Sequence, residues 1–372
     1  MKPSTRLLLS IACIALPVLI VYCLYAGTYQ PNKEDNGFNR TWTGWNAVPE
    51  DTIRADFGYG DICGVTPSGF FVEMPGHKNQ VTRYGWSLGG ARVFTYALPK
   101  NPHIWSRVHF QVDSPYAYLF AGNGPDVFKG RLDAAAPLLQ HHYPFPIFMK
   151  GVALENGEYL IRGYDKDSGD YHLPFILWDP ATNRQVRKMD PFRASGGLGL
   201  GADGTLHYDT ATRRLVFVQF YRNGILLLDT DFSAPRFLPT IDTVAHGRTA
   251  DGSYQENGTE KYTNSTPQFF VNWNTAVSDG RLYINSLLRA DNEPKTTFED
   301  ASDIDVYDLS GRGYRYSLKV PRLDGRKLVS FAVRGQDLVA CYPGGLVTYR
   351  LVNGAQAPQL DRAPEAPRPK VN

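Results

Sequence analysis

The histidines are the most informative residues of this sequence for chemistry at a shared site. Six of the eight are candidates for ligand or metal binding: His77, His103, His141, His142, His207 and His246. Neutral imidazole is a common metal ligand and titrates close to physiological pH. Their spacing along the chain follows no metal-binding pattern, because no H-x-x-x-H pair or fixed His–carboxylate interval is present. A site built from them depends on a fold that brings distant loops together.

An acidic cluster between residues 300 and 308 is the second candidate. Asp303 and Asp305 are separated by one residue, so alternation along a strand places both side chains on the same face. A cation could bind there. Asn285, which lies in a neighbouring predicted strand, adds an amide oxygen to the candidate ligand set.

Two sequence motifs resemble known sites but lack the required context. Residues 199–204 match G-x-G-x-x-G, yet a strand follows them where a dinucleotide site needs a helix, so we interpret them as a turn into an inner strand. Residues 165–170 resemble a calcium loop, but its twelfth position is Ile176 instead of glutamate. A solvated hairpin turn is the better interpretation of that segment.

The cysteines indicate no disulfide framework. Cys13 and Cys23 lie in an apolar N-terminal segment, which leaves Cys63 and Cys341 as one potential pair in the globular part. An oxidising compartment would permit a disulfide between them, while two buried free thiols are the alternative.

Composition favours a β-rich protein without nucleic acid as a partner. Aromatic residues make up 13% of the 372 residues, with 22 Tyr and 35 Gly, which suits short strands joined by tight turns. The formal net charge is only +2, and no lysine or arginine stripe could follow a phosphate backbone.

The elements that must position these residues are short strands in repeated meanders. Residues 271–321 predict four strands: one ending at Val277, then 281–288, 303–309 and 314–320, with a turn at 278–280. Similar units recur along the chain at 61–99, 107–132, 150–191, 205–239 and 328–351. The pair Asn223-Gly224 is a strong hairpin signal inside one of them.

Six four-stranded units spaced by about 40 to 50 residues are typical of a β-propeller. The alternative, a β-sandwich, would need two or three domains here, and no linker separates the units. The sequence therefore predicts an all-β, six-bladed propeller over residues 38–353. The last unit lacks one strand, which we expect from the N-terminal side within 38–56. The Pro-rich tail, 354–372, is expected to be disordered.

The propeller topology predicts where a ligand would bind. Loops that join the second to the third strand, and each blade to the next, open on one rim. We assign five histidines to such loops: His77, His103, His141, His142 and His246. His207 falls on an inner strand. The long polar loop 245–270 and loop 289–302, with Arg289, reach the same rim, and loops of that length are usually functional or disordered.

Three segments carry a family resemblance: VDSPYAYL (112–119), DGTLHYDTATRRLVFVQFYRNGILLLDT (203–230) and NEPKTTFEDASDIDVYDL (292–309). Through the spacing of its units, the chain resembles the six-bladed propeller superfamily of the TolB/NHL-like kind. More narrowly, it is similar to a family of exported, membrane-tethered bacterial propellers. The resemblance covers nearly all of 38–352 and implies fold and location. It transfers no catalytic residue.

The N-terminal segment predicts export. Residues 7–26 form an uncharged apolar run of about the length that crosses a bilayer as a helix, and Lys2 and Arg6 precede it. We expect one N-terminal transmembrane helix that anchors the protein in the bacterial inner membrane, with the propeller in the periplasm. A cleaved signal peptide, which would release a secreted protein, is the alternative. Residues 27–37 form a short polar tether.

The functional prediction is a binding module without catalysis of its own, whose loops bind a periplasmic or membrane protein or peptide, or else a glycan. No cofactor is predicted. One alternative is a metal-assisted hydrolase or lactonase in the central channel, using His207, Asn285 or Asp303 with a divalent metal. Another is an accessory subunit of a membrane complex.

Overall fold

The computed structural model describes most of the chain between Asn36 and Gly354. The described residues are 13, 15–21, 36–58, 60–74, 76–98, 108–133, 138–144, 146–164, 173–192, 200–247, 251–256, 259–264 and 267–354. The expectations for residues 27–35, for the segment 165–170, for His103, and for the tail beyond Gly354 lie outside these residues.

Twenty-six strands form the described fold. The first thirteen are β1 (Trp45–Arg54), β2 (Asp61–Thr66), β3 (Gly69–Glu73), β4 (Gln80–Tyr84), β5 (Arg92–Thr95), β6 (Val108–Asp113), β7 (Tyr116–Ala121), β8 (Asp126–Arg131), β9 (Leu139–His142), β10 (Phe148–Ala153), β11 (Tyr159–Gly163), β12 (Phe175–Asp179) and β13 (Arg184–Met189). The others are β14 (Gly204–Asp209), β15 (Arg214–Gln219), β16 (Ile225–Asp229), β17 (Arg236–Leu238), β18 (Asp251–Glu256), β19 (Thr259–Asn264), β20 (Asn272–Ser278), β21 (Arg281–Ser286), β22 (Ala301–Asp308), β23 (Gly313–Pro321), β24 (Ser330–Arg334), β25 (Asp337–Tyr342) and β26 (Gly345–Asn353).

Six antiparallel four-stranded sheets form the blades of a propeller. Blades 1 to 5 are β2–β5, β6–β9, β10–β13, β14–β17 and β20–β23. Blade 6 has the order β1-β26-β25-β24, so the N-terminal strand is its outermost strand. β1 pairs with β26 from Trp45–Asn353 to Arg54–Gly345. The predicted six-bladed fold and the closure of the ring by an N-terminal strand are confirmed.

Each contact between neighbouring blades buries its own apolar cluster. Between blades 3 and 4, for example, Leu177 and Phe175 pack with Phe217, Leu226 and Leu228. The middle strands are buried on both faces, which is why they read as continuous apolar runs such as LVFV in β15 and ILLL in β16. The outer strands are solvated; in β13 five of six residues are exposed. Rigidity therefore comes from the middle of each blade.

Glycine and turn residues act where the backbone requires them. The β20–β21 hairpin turns at Asp279 and Gly280, both with positive φ (51° and 73°), as a two-residue turn matching the strand twist requires. In β2, a Cβ on Gly64 would lie 2.4 Å from the Val112 carbonyl oxygen of blade 2. Only glycine permits this approach of two inner strands.

One face of the ring, which we call the upper face, carries the loops between second and third strands and the connections between blades. The segment predicted as a loop over 245–270 emerges here, and the structure corrects that prediction in part. Strands β18 and β19 pair as a hairpin in register from Asp251–Asn264 to Glu256–Thr259. The sequence of this segment is mostly polar, so apolar alternation gave no strand signal, although Asn257-Gly258 is a hairpin dipeptide.

The N-terminal apolar segment is described only at residues 13 and 15–21, all helical. The side chains of five large apolar residues there are 50–65% exposed: Leu16, Val18, Leu19, Ile20 and Val21. No helix in the described part of the chain is both long and apolar enough to cross a membrane.

Candidate functional site

A cavity of about 770 Å³ lies along the axis of the ring. Its wall consists of residues from all six inner strands, β2, β6, β10, β14, β20 and β24. The lining includes Asp61 and Lys150 near the upper ends of their strands, and Asp113, Asp279 and Arg334 near the lower ends. A volume in the range of small-ligand sites, with charged groups at both ends, makes this channel the main candidate site.

Polar side chains at or next to the inner strands join neighbouring blades around this channel, and we call them the polar belt. In blade order from 1–2 to 6–1, the contacts are Phe110 N to Glu73, Gln111 with Ala153, Lys150 with Asp203, His207 with Thr275, Asn274 to the Val329 carbonyl, and Ser330 with Asp61. Every blade interface has such a contact. The belt thus fixes the inner strands in place. Several polar side chains of the channel wall are therefore already hydrogen-bonded between blades.

The two channel histidines, His207 of the polar belt and His109, each make a contact to the next blade. His207 Nε2 lies 2.6 Å from Thr275 Oγ1, and His109 Nε2 lies 2.9 Å from the Gly151 carbonyl oxygen. Burial lowers the pKa of each to about 4, and the charge of Lys150 contributes to the shift in both cases. Both imidazoles are therefore neutral at physiological pH. His207 lines the channel as the sequence predicted, with its Nε2 already hydrogen-bonded across two blades.

Asp61 and Glu73 form an acidic pair at the upper end of the channel, where they are cross-strand neighbours. Burial raises the pKa of Glu73 to about 8, and the nearby Asp61 adds to the shift, while a hydrogen bond from Phe110 N (2.7 Å) opposes it. The Asp61 side chain lines the channel, deep inside the ring. Burial therefore raises the pKa of Asp61 as well. Glu73 is thus mainly protonated at neutral pH.

Replacing Glu73 with glutamine should remove part of the alkaline sensitivity of the fold. The native pKa is raised, from 4.5 to about 8, so the proton of Glu73 stabilises the native state below pH 4.5 and this contribution is lost as pH rises through 8. Each tenfold difference in proton affinity corresponds to about 1.4 kcal/mol. Only the two pH units between pH 6 and the native pKa of about 8 contribute over this interval, and Glu73 is partly accessible. We therefore expect the unfolding free energies at pH 6 and pH 9.5 to differ by about 1 to 3 kcal/mol more in the wild type than in Glu73→Gln.

Urea titrations at the two pH values measure this difference. Glu50→Gln is the matched control, since Glu50 is an exposed glutamate on β1. An unchanged pH dependence in Glu73→Gln would contradict the assignment of the proton to this carboxyl group.

The acidic cluster at 303–305 does bind cations, and they are the side chains of Arg40 and Lys319. The side chain of Arg40 is fully buried, with Nη1 2.9 Å from Asp303, Nε 2.8 Å from Asp305, and Nη1 3.0 Å from Glu293. Nη2 donates to Asp305 and to the Leu288 carbonyl oxygen, so all five N–H groups are used. The prediction that Asp303 and Asp305 share a face is confirmed.

Arg40 belongs to residues 36–42, which we call the strap because they lie across blade 5. Phe38 is buried against Val271, Leu288 and Ala290. The Arg40 backbone exchanges hydrogen bonds with the Asn292 side chain (3.0 and 2.9 Å). The strap thus binds to loop 289–302, where the sequence predicted that a ligand would bind.

Two more candidates from the sequence lie in this region. The carbonyl oxygen of Arg289 accepts a hydrogen bond from Asn36 Nδ2 (2.8 Å), and Arg289 Nη1 donates to the Glu293 carbonyl oxygen (2.9 Å). Asn285 is buried on β21, with Nδ2 3.2 Å from the Asp303 carbonyl oxygen. The channel lining contains His207 but neither Asn285 nor Asp303, because these two lie on the second and third strands of blade 5. The proposed hydrolase set does not converge.

The other histidines are spread over the molecule. His77 and His246 are exposed in upper-face loops, as predicted. His141 and His142 were assigned to a loop, but they form the end of β9, the outer strand of blade 2. His141 Nδ1 lies 2.9 Å from the Tyr159 hydroxyl, and His142 Nδ1 lies 2.9 Å from Asp126. They were misassigned because β9 has no apolar alternation.

Within the described residues, the thiols and the potential metal ligands form neither a disulfide nor a metal site. Cys63 and Cys341 are free thiols in separate apolar clusters, so the disulfide considered from the sequence is not formed. Burial raises the pKa of both. Among the residues that the structure describes, no group of three or more His, Cys, Asp or Glu side chains could hold a metal ion. Residues 200–204 enter β14 through a short 3-10 turn, as interpreted from the sequence.

Sequence reasoning missed the polar belt and Arg40. Glu73, Gln111 and Lys150 lie at inner-strand or neighbouring positions in segments assigned correctly to strands, so polar residues interrupting an apolar pattern were the available signal. Arg40 had no such signal, because it lies outside any strand.

Comparisons with known proteins identify structural neighbours. No protein-family model matches the chain, and no curated protein matches its sequence. A streptogramin B lyase structure is 10% identical, over 84% of this chain and 100% of that one, with a TM-score of 0.46. A catalytically inactive virginiamycin B lyase from Staphylococcus aureus with quinupristin is 11% identical, over 84% and 98%, with a TM-score of 0.45. A member of the DUF4221 family from Bacteroides vulgatus is 12% identical, over 86% and 99%, with a TM-score of 0.48. With every TM-score below 0.5, these similarities transfer no activity to this chain.

Proposed function

We propose that this protein is a membrane-anchored, periplasm-facing propeller that binds a cationic peptide segment in its central channel. The cavity of about 770 Å³ that the six inner strands enclose is the observation that carries the proposal. A rigid ring with an open channel supports binding without catalysis of its own.

The charge of the channel wall supports a cationic ligand. Five aspartates line the channel: Asp61, Asp113, Asp203, Asp209 and Asp279. The cations of the lining are Lys150 and Arg334, and both channel histidines are neutral at physiological pH. In a narrow, low-dielectric channel such an excess of carboxyl groups attracts positive charge. Lysine or arginine side chains on an extended peptide provide that charge.

The location rests on the N-terminal segment. The apolar run at 7–26 has the length of a membrane helix, and the described helical residues in it expose their apolar side chains. An anchor in the bacterial inner membrane would hold the propeller in the periplasm. Membership of the TolB/NHL-like superfamily, and of its exported, membrane-tethered relatives, is part of the same proposal.

Peptide binding is tested with fluorescein-labelled heptalysine and heptaglutamate, measured by fluorescence polarisation at physiological salt. We expect saturable binding of heptalysine alone. Asp113→Arg, which reverses a charge in the channel wall, should weaken binding about tenfold or more, since a tenfold change corresponds to only about 1.4 kcal/mol.

Asp133→Arg is the matched control. Asp133 belongs to the same blade and is exposed, but it pairs with Arg131 outside the channel lining. Equal losses in the two variants would assign the binding to overall charge, and absence of heptalysine binding would overturn the cationic-peptide proposal.

A further inference from the structure

An exposed aromatic patch lies on the upper face beside the strap. Trp273 is 37% exposed, and its ring centroid lies 4.8 Å from Phe270 and 5.9 Å from Phe220. Leu287 is 38% exposed and donates its backbone N–H to Val271, between Phe270 and Trp273. We call Phe220, Phe270, Trp273 and Leu287 the apolar patch. Trp273 and Leu287 are exposed, while Phe220 and Phe270 are half-buried. Exposed apolar side chains next to a half-buried aromatic cluster indicate an interaction surface.

The chain reaches the propeller next to this patch. Phe38 of the strap packs on Val271 and Leu288, the immediate neighbours of Phe270 and Leu287 in sequence. Asn36 and Gly37 bind Arg289 and Asp291 in the same upper-face loop. The polypeptide therefore enters the ring at the upper face.

The length of the chain ahead of the strap limits how the ring can be oriented. Only residues 27–35 separate the apolar run from Asn36. Nine residues span at most about 30 Å when fully extended. Strands of five to six residues make the ring about 20 Å tall before its loops are added. To place the lower face on a membrane, the tether would have to use nearly its whole reach to pass along a blade.

We propose that the upper face rests on the bilayer surface, with Trp273 and Leu287 in the membrane interface. This inference rests on the proposed N-terminal anchor. Tryptophan is enriched at membrane interfaces because its ring is apolar and its N–H can still bind water or headgroups. The mouth of the central channel then opens toward the membrane, so that ligand reaches it along the bilayer surface.

Tryptophan quenching by brominated phosphatidylcholine tests this orientation. The full chain is reconstituted in vesicles with and without brominated acyl chains. No tryptophan precedes Trp42, so all quenching reports on the propeller and not on the apolar run. We expect brominated lipid to quench a fraction of the emission in the wild type, and Trp273→Phe to remove most of that fraction.

Trp86→Phe is the matched control. Trp86 lies between β4 and β5 on the lower face, where its Nε1 donates to the Thr66 carbonyl oxygen (3.1 Å). This variant should keep the quenched fraction. Leu287→Asp should reduce the quenching of Trp273 by placing a charge in the interface.

The outcomes separate the orientation from the anchor. If the protein fails to float with the vesicles, the anchor is wrong and the orientation falls with it. If it floats but Trp273→Phe leaves quenching unchanged, or Trp86→Phe abolishes it, the orientation alone is overturned. Self-association that Leu287→Asp abolishes, without any quenching, would assign the patch to a second copy of the chain. Heptalysine binding to the channel is independent of all three results.

Discussion

Replacing Arg40 with methionine should lower the free energy of unfolding by about 3 to 5 kcal/mol, the range found when one partner of a buried ion network is removed. The guanidinium group is fully buried and donates five hydrogen bonds, four of them to carboxylates. Without it, Asp303, Asp305 and Glu293 face one remaining cation, Lys319. Burial already raises the pKa of Asp303 to about 7 although Arg40 opposes this shift.

The measurement is urea unfolding of the wild type and the variant at pH 7. Arg54→Met is the matched control, because Arg54 also pairs with a carboxylate that is distant in sequence, Asp324. Both members of that pair are more than half exposed. Exposed ion pairs contribute little to stability, because water screens the charges and both long side chains must be held in one geometry. Equal small losses in both variants would contradict the structural role of Arg40.

A second readout distinguishes local from global loss. The strap is held by Phe38 and by backbone hydrogen bonds as well as by Arg40, so residues 36–42 could detach while the ring persists. Proteolysis at residues 36–42 before global unfolding would show that Arg40 fixes the strap alone. In that case the urea transition of the Arg40→Met variant would retain the wild-type midpoint.

The fold was predictable because its signals are local. Each blade has middle strands that are buried on both faces, and runs such as ILLL in β16 report this burial directly. Turns such as Asp279-Gly280 mark the ends of strands through their backbone requirements. The sixth unit shows only three strands in the sequence, so a fourth was expected from the N-terminal side, and β1 is that strand.

The site was less predictable because its contacts are distant in sequence. Arg40 meets its carboxylate partners from 253 to 265 residues away. An acidic pair on one face indicates a cation but cannot tell a metal ion from an arginine on another segment. Likewise, the position of His207 on an inner strand was correct, while its Thr275 partner depends on the packing of two blades. Polar strands such as β9 and β18 were not predicted, because they lack apolar alternation.

Removing β1 should cost more than removing the strap, because β1 closes the ring. A chain that begins at residue 36 should unfold like the full chain, and one that begins at residue 45 should lose about as much stability as Arg40→Met. A chain that begins at residue 55 should lose on the order of 5 kcal/mol more, since the hydrogen bonds along nine paired positions disappear at about 0.5 to 1.5 kcal/mol each.

The physical effect of β1 is to cover an edge rather than to fill a core. Most β1 side chains are exposed, but its partner β26 is buried along nearly its whole length. Without β1, the backbone N–H and C=O groups of β26 form an open edge, which invites pairing between chains. Urea unfolding and sedimentation of the three chains measure stability and association together. A chain beginning at residue 55 that stays monomeric and matches the stability of the chain beginning at residue 45 would show that blade 6 closes without its N-terminal strand. Association that disappears once a synthetic peptide of residues 45–54 is added would instead locate the exposed edge at β26.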